Sequence, residues 1–81
     1  KPDNAEGYFN RGYVFNETME YKKAIRDYTK VIQVEPENSG AYRNRAMAHD
    51  NIGKFDRAID DYTHAINIEE STLLYDCRGK L

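Results

Sequence analysis

Apolar residues in this chain of 81 recur at the spacing of one helix face. Tyr21, Ala24, Ile25, Tyr28, Val31 and Ile32 follow an i, i+3, i+4, i+7 pattern, and Phe55, Ala58, Ile59, Tyr62, Ala65 and Ile66 repeat it 34 residues later. Both stretches read as amphipathic helices, because residues three and four apart share one side of a 3.6-residue turn. Laid over each other without a gap, residues 5–38 and 39–72 agree at ten positions, among them Tyr8/Tyr42, Asn10/Asn44, Arg11/Arg45, Ala24/Ala58 and Tyr28/Tyr62. A further helical stretch precedes each amphipathic one, so the unit is helix, tight turn, helix. Such a unit buries its apolar face only by stacking on neighbours.

The pattern predicts helices over residues 5–17, 20–34, 39–51 and 55–68. Asn4 or Asp3 suits the first N-cap, where a side-chain oxygen satisfies an early backbone N–H. Pro36 stops the second helix, since proline brings no N–H and clashes with the preceding turn. Asn38-Ser39-Gly40 then caps the third. Gly53 suits a left-handed residue at a helix end, whereas its image Met19 implies a turn that is strained or differently shaped. Glu70 stands at the image of Pro36, which softens the fourth stop. Beyond it, Tyr75-Asp76-Cys77-Arg78-Gly79 echoes Tyr8-Phe9-Asn10-Arg11-Gly12 and Tyr42-Arg43-Asn44-Arg45-Ala46; the offset from the second copy is 33, as if one residue were lost from a loop near Glu70-Ser71-Thr72. The resulting division is a tail of a preceding unit at 1–4, one unit at 5–38, a second at 39–71, and the first helix of a partial third at 72–81.

Charge narrows the functional classes. A net charge of −2, with Lys and Arg interleaved among acids, gives no basic field for a phosphate backbone and sets nucleic acid aside. No apolar run reaches the roughly 18 residues of a membrane span. Lys1-Pro2-Asp3-Asn4 is the image of Glu35-Pro36-Glu37-Asn38, so the chain reads as starting where an earlier unit ended, and a targeting segment is not observable. The single Cys77 leans towards a reducing, cytoplasmic setting. His49 and His64 fall on different helices without metal-ligand spacing, and His49 occupies a core-facing place. Asp56, Asp60 and Asp61 read as a solvated face. Neither a catalytic constellation nor a cofactor motif is present, and the chain reads as non-enzymatic.

These residues resemble the tetratricopeptide repeat, a 34-residue pattern of W-x₂-L-G-x₂-Y, then A-x₃-F, then P. Tyr8 stands at the Trp place, Gly12 at the Gly, Phe15 at the Tyr, and Ala24, Tyr28 and Pro36 at the Ala, Phe and Pro; the second copy offers Tyr42, Ala46, His49, Ala58, Tyr62 and Glu70. The resemblance covers essentially the whole chain and implies an all-α, right-handed solenoid of helix-turn-helix repeats. It places Gly12 or Ala46 against Ala24 or Ala58, where small side chains let two helix axes approach. Arg11, Arg45 and Arg78 depart from the pattern's usual leucine. Because Asp27 and Asp61 recur with them, the expectation is a repeated Arg–Asp pair, the alternative being arginines that snorkel to water.

By the same resemblance, first helices line a concave groove for an extended peptide or a helix of a protein partner. The residues facing that groove are Phe9, Asn10, Tyr13, Asn16 and Glu17 in the first copy, and Arg43, Asn44, Met47, Asp50 and Asn51 in the second. Asp76, Cys77 and Lys80 extend the row. Phe9, Tyr13 and Met47 would supply apolar pockets and Asn10 and Asn44 amides for a peptide backbone, unless Phe9 and Tyr13 pack on a neighbouring repeat. A carboxylate clamp for an acidic chaperone tail needs Lys and Asn on the first helix, Asn on the third, and Lys and Arg on the fifth; Phe9 and Tyr13 stand at the first two places, the last two fall near Leu73 and Cys77, and only Asn44 matches, so the resemblance does not extend to that binding. Two other readings stand beside the interaction scaffold: a structural module that self-associates, for instance as a homodimer, through repeat ends rich in Leu73, Leu74, Tyr75 and Leu81, and an accessory region of a larger enzyme.

Overall fold

A computed structural model of the chain describes the backbone of residues 4–80 and the side chains of residues 4–72. Four helices follow one another: α1 (Ala5–Glu17), α2 (Tyr21–Val34), α3 (Ser39–Asn51) and α4 (Phe55–Lys80). Local chemistry sets their starts. The Asn4 side chain accepts from the Gly7 N–H at 3.1 Å, and Asn38, its image, accepts from Ala41 N–H at 3.0 Å. Both first helices end in one turn shape: Glu20 N–H reaches Phe15 O at 2.7 Å and Lys54 N–H reaches His49 O at 2.8 Å. Each turn needs a left-handed residue, supplied by Gly53 at φ 82° and by Met19 at φ 64°. The Met19 turn is thus strained and not differently shaped.

α2 stops at Val34 because Glu35 precedes Pro36 and is steered to an extended backbone, φ −128° and ψ 80°. α4 has no such stop. It runs unbroken from Phe55 to Lys80, so the expected helix end at Ile68, the loop near Glu70-Ser71-Thr72 and the fresh helix from residue 72 are not formed. With glutamate in place of proline the N–H ladder continues, and the Thr72 hydroxyl back-bonds to Ile68 O at 3.0 Å within it. The side chains of Leu73, Leu74, Tyr75, Asp76, Cys77, Arg78, Lys80 and Leu81 lie outside the described residues, and so do the readings placed on them.

Neighbouring helices pack in sequence, α1 on α2, α2 on α3 and α3 on α4. α1 also touches α3, whereas α2 and α4 do not meet among the described residues. An array whose first helices touch and whose second helices splay must curve with the first helices inside. The core runs between the layers, with Ala24, Tyr28, Val31, Ala41, Ala46 and Ala48 wholly buried. Alanine dominates because close axes leave little room for side chains. Gly12 is the tightest place: a Cβ there would come within 3.1 Å of the Tyr28 ring. Its close partner is therefore Tyr28, one turn beyond the expected Ala24.

Candidate functional site

Each unit is clamped by the same polar device. Arg11 donates through Nε and Nη2 to both carboxylate oxygens of Asp27 at 2.8 and 2.9 Å, and Arg45 does so to Asp61 at 2.8 Å twice. The guanidinium carbons lie 5.5 Å from the Tyr8 ring centre and 5.6 Å from that of Tyr42. A planar fork matched to a carboxylate and laid over an aromatic face satisfies an ion pair whose carboxylate is buried. The hydrogen bond to Asp61 holds the Arg45 pKa above its ordinary value against the opposing cost of burial. Asp61 is thus part of the core, and only Asp56 and Asp60 of the acidic trio are solvated.

The inner face is built around Tyr28. Its ring meets Phe9 edge-on at 5.4 Å, and its hydroxyl accepts from Asn44 Nδ2 at 3.2 Å. Burial pushes the phenol pKa up to about 12, while the Asn44 bond pulls the other way. Asn16 Nδ2 donates to the Asn44 carbonyl at 3.2 Å and so ties α1 to α3. Three groove assignments change accordingly, Asn16 being spent on this tie between the helices. Asn44 is engaged in the wall of the groove, and Phe9 is half-buried in the core, where a Cβ on Gly40 would come within 3.4 Å of its ring.

Arg43 is also taken: it pairs with Glu69 of α4, which further accepts from the Ser39 hydroxyl at 3.3 Å. Asn51 donates to Met47 O in its own helix at 2.9 Å. What stays available on the inner helices is Asn10, Tyr13, Glu17, Met47 and Asp50, all exposed. Neither Glu17 nor Asp50 forms an ion pair among the described residues. Tyr28 itself, absent from the sequence-based groove, organises this face. The signal was present in the chain, since tyrosine at the pattern's phenylalanine place adds a hydroxyl that must find a partner when buried.

On the opposite side, a cleft of about 350 Å³ between α2 and α4 is lined by Thr29, Arg45, His49, Arg57, Asp61 and His64 among others. Here Arg45 Nη1 donates to the Thr29 hydroxyl at 3.1 Å, a side-chain bond between the units. His49 is buried, with Nε2 3.7 Å from Asp61 Oδ2 and Nδ1 without a hydrogen-bond partner among the described residues. Burial lowers its pKa; Asp61 opposes this, and Arg45, Arg57 and Lys54 reinforce it. Among the described residues, no cluster of three His, Cys, Asp or Glu side chains could hold a metal ion. No helix among them is long and apolar enough to cross a membrane.

Two sequence families, each described as tetratricopeptide repeat, match residues 5–38 and 27–60. No curated protein matches the chain by sequence. Among solved structures, two crystal structures of MamA are similar, with TM-scores of 0.89 and 0.83, each at 29% identity over 93% of this chain. The chain covers 44% and 41% of those proteins, less than half of their length.

Proposed function

Because the chain belongs to the tetratricopeptide-repeat family, we propose that this protein-interaction scaffold receives an extended peptide across α1 and α3, one that carries an apolar side chain beside a basic one. The observation that carries this reading is the pairing of Tyr13 and Met47, both exposed, with the wall formed by the Tyr28–Asn44 bond. A large side chain left in water on a curved inner face gains most by meeting an apolar partner. The charge preference follows from what is free. Arg43 is neutralised by Glu69, so among the described residues the unpaired charges of the groove set are those of Glu17 and Asp50. Acidic tails are disfavoured by the same count.

Fluorescence polarisation against two peptide pools, one apolar with lysine or arginine and one apolar with glutamate, tests it. Selective binding of the basic pool, weakened about tenfold or more by Tyr13→Ala or Met47→Ala with helicity unchanged, is expected. Glu17→Lys with Asp50→Lys should reverse the preference between pools. Binding indifferent to all four changes would place the partner elsewhere on the surface.

A further inference from the structure

Along the sequence cations and acids are intermixed, but folding sorts them by helix. α2 carries Lys22, Lys23, Arg26 and Lys30, all exposed, within about 100° of its circumference. Its one acid, Asp27, is turned inward and engaged by Arg11. Lys23 pairs with Glu20 at 3.0 Å, whereas Lys22, Arg26 and Lys30 form no ion pair among the described residues. These three stand one turn apart, in a row about 12 Å long at 1.5 Å per residue. The same four places on α4 hold Asp56, Arg57, Asp60 and His64, and they are exposed too, although the first unit stands beside them across the cleft. The openness of these places thus belongs to the unit and does not depend on what adjoins it. What sets α2 apart is charge. Its row also runs against the helix dipole: α4 has Asp56 in its first turn, the favoured sign, while α2 has Lys22 and Lys23 there and no acid. An anion brought to that end gains from the lysines and the dipole together.

We propose that the outer face of α2 docks an acidic segment of a protein partner, with carboxylates about 6 Å apart, as on successive turns of a helix. An exposed ion pair is worth little by itself, so the row reads a run of acids and passes over a single one. Arg26 offers a fork for bidentate contact at the centre, with a lysine on either side. The neighbouring row decides the class of partner. A bilayer or a nucleic-acid duplex is broader than one helix and would lie on Asp56 and Asp60 as well. Between Lys22 and Lys30, moreover, α2 exposes no aromatic or large apolar side chain with which to enter a bilayer or stack a base. A segment one helix wide meets the cations and avoids both acids. The groove lies on α1 and α3 and selects the opposite charge, so the two readings stand or fall separately.

Isothermal titration calorimetry with an alanine-rich helical peptide bearing glutamate at every fourth place tests it, at low and at physiological salt. The wild type should bind this peptide, several-fold more weakly at the higher salt, and should not bind the same peptide with glutamine for glutamate. Lys30→Gln should weaken binding several-fold. Lys22→Glu, Arg26→Glu and Lys30→Glu together should abolish it; all three residues are exposed, and circular dichroism checks that each variant folds. Phosphatidylserine vesicles and oligodeoxythymidine, titrated in the same buffers, should bind the wild type far less than the peptide does. Absence of peptide binding at low salt overturns the proposal. So does binding that the triple variant retains, or vesicles or oligodeoxythymidine held by the wild type as tightly as the peptide.

Discussion

Met19 occupies, at φ 64°, the backbone conformation that Gly53 occupies at φ 82° in the second unit. The two turns make the same hydrogen bond, so sequence and geometry disagree at one of them. A left-handed residue with a Cβ costs roughly 1–2 kcal/mol, partly offset because glycine loses more freedom on folding. Met19 is exposed and brings no core packing in return. Met19→Gly is expected to stabilise the chain by about 1 kcal/mol, and Gly53→Ala to destabilise it by about as much. Urea titration of helicity reads both.

The two arginine clamps differ in how deeply they are set, and the difference is measurable. Arg45 is the more buried, and removing it leaves the Asp61 carboxylate in the core without its fork. Arg45→Met should cost about 3 kcal/mol, the penalty of an uncompensated buried charge. Arg11→Met should cost less if the exposure of the guanidinium sets the worth of the pair, since Asp27 and Asp61 are both buried and water reaches only Arg11. Equal losses in thermal denaturation would mean that exposure does not set their worth.

His49 predicts a pH dependence with a definite sign. Burial lowers its pKa below 6.5, outweighing Asp61, whose charge Arg45 already engages. As pH falls below 6.5 the unfolded chain takes up a proton that the folded chain resists. The unfolded state then binds more protons, and stability falls with falling pH; above that range the contribution is complete. His49→Phe, which installs the residue found at Phe15, should flatten this slope between pH 6.5 and the carboxylate range. Stability measured at intervals across that window in both chains gives the answer.

The unbroken α4 depends on the missing proline. Glu70→Pro removes one N–H from the ladder and clashes with the turn before it, at a cost of ~3 kcal/mol in a helix interior. Labels at Cys77 and at Arg57→Cys lie about 30 Å apart along a continuous helix at 1.5 Å per residue. Energy transfer should report that span in the otherwise unchanged chain and a markedly shorter one after Glu70→Pro. The same span in both would show that something other than the residue at 70 holds the helix straight.

Much of this architecture was legible because it is local. Periodicity located the helices, and asparagine at 4 and 38 marked two starts, since a cap is satisfied within three residues of itself. Arg11 and Asp27 sit 16 residues apart and recur together, which is enough to suggest a clamp across one turn. Less legible was anything decided by a neighbour. Phe9 and Asn44 share a face with Tyr13 and Met47, but whether such a residue points at water or at Tyr28 depends on how closely α1, α2 and α3 approach. The stop of α4 was misread for a related reason: the resemblance to earlier copies suggested a new helix, while the chemistry of Glu70, Ser71 and Thr72 forbids nothing.

Tyr28 has a consequence for how the chain folds. Its ring closes on Gly12 within the first unit, and its hydroxyl holds Asn44 of the second. In a one-dimensional array, stability divides into terms for each unit and terms for each junction. Here one side chain contributes to both kinds of term, so the first unit cannot lose its internal packing without also releasing the second. Melting should therefore run as a single cooperative transition, with amide exchange protection of α3 tied to that of α2 and only the far end of α4 opening on its own.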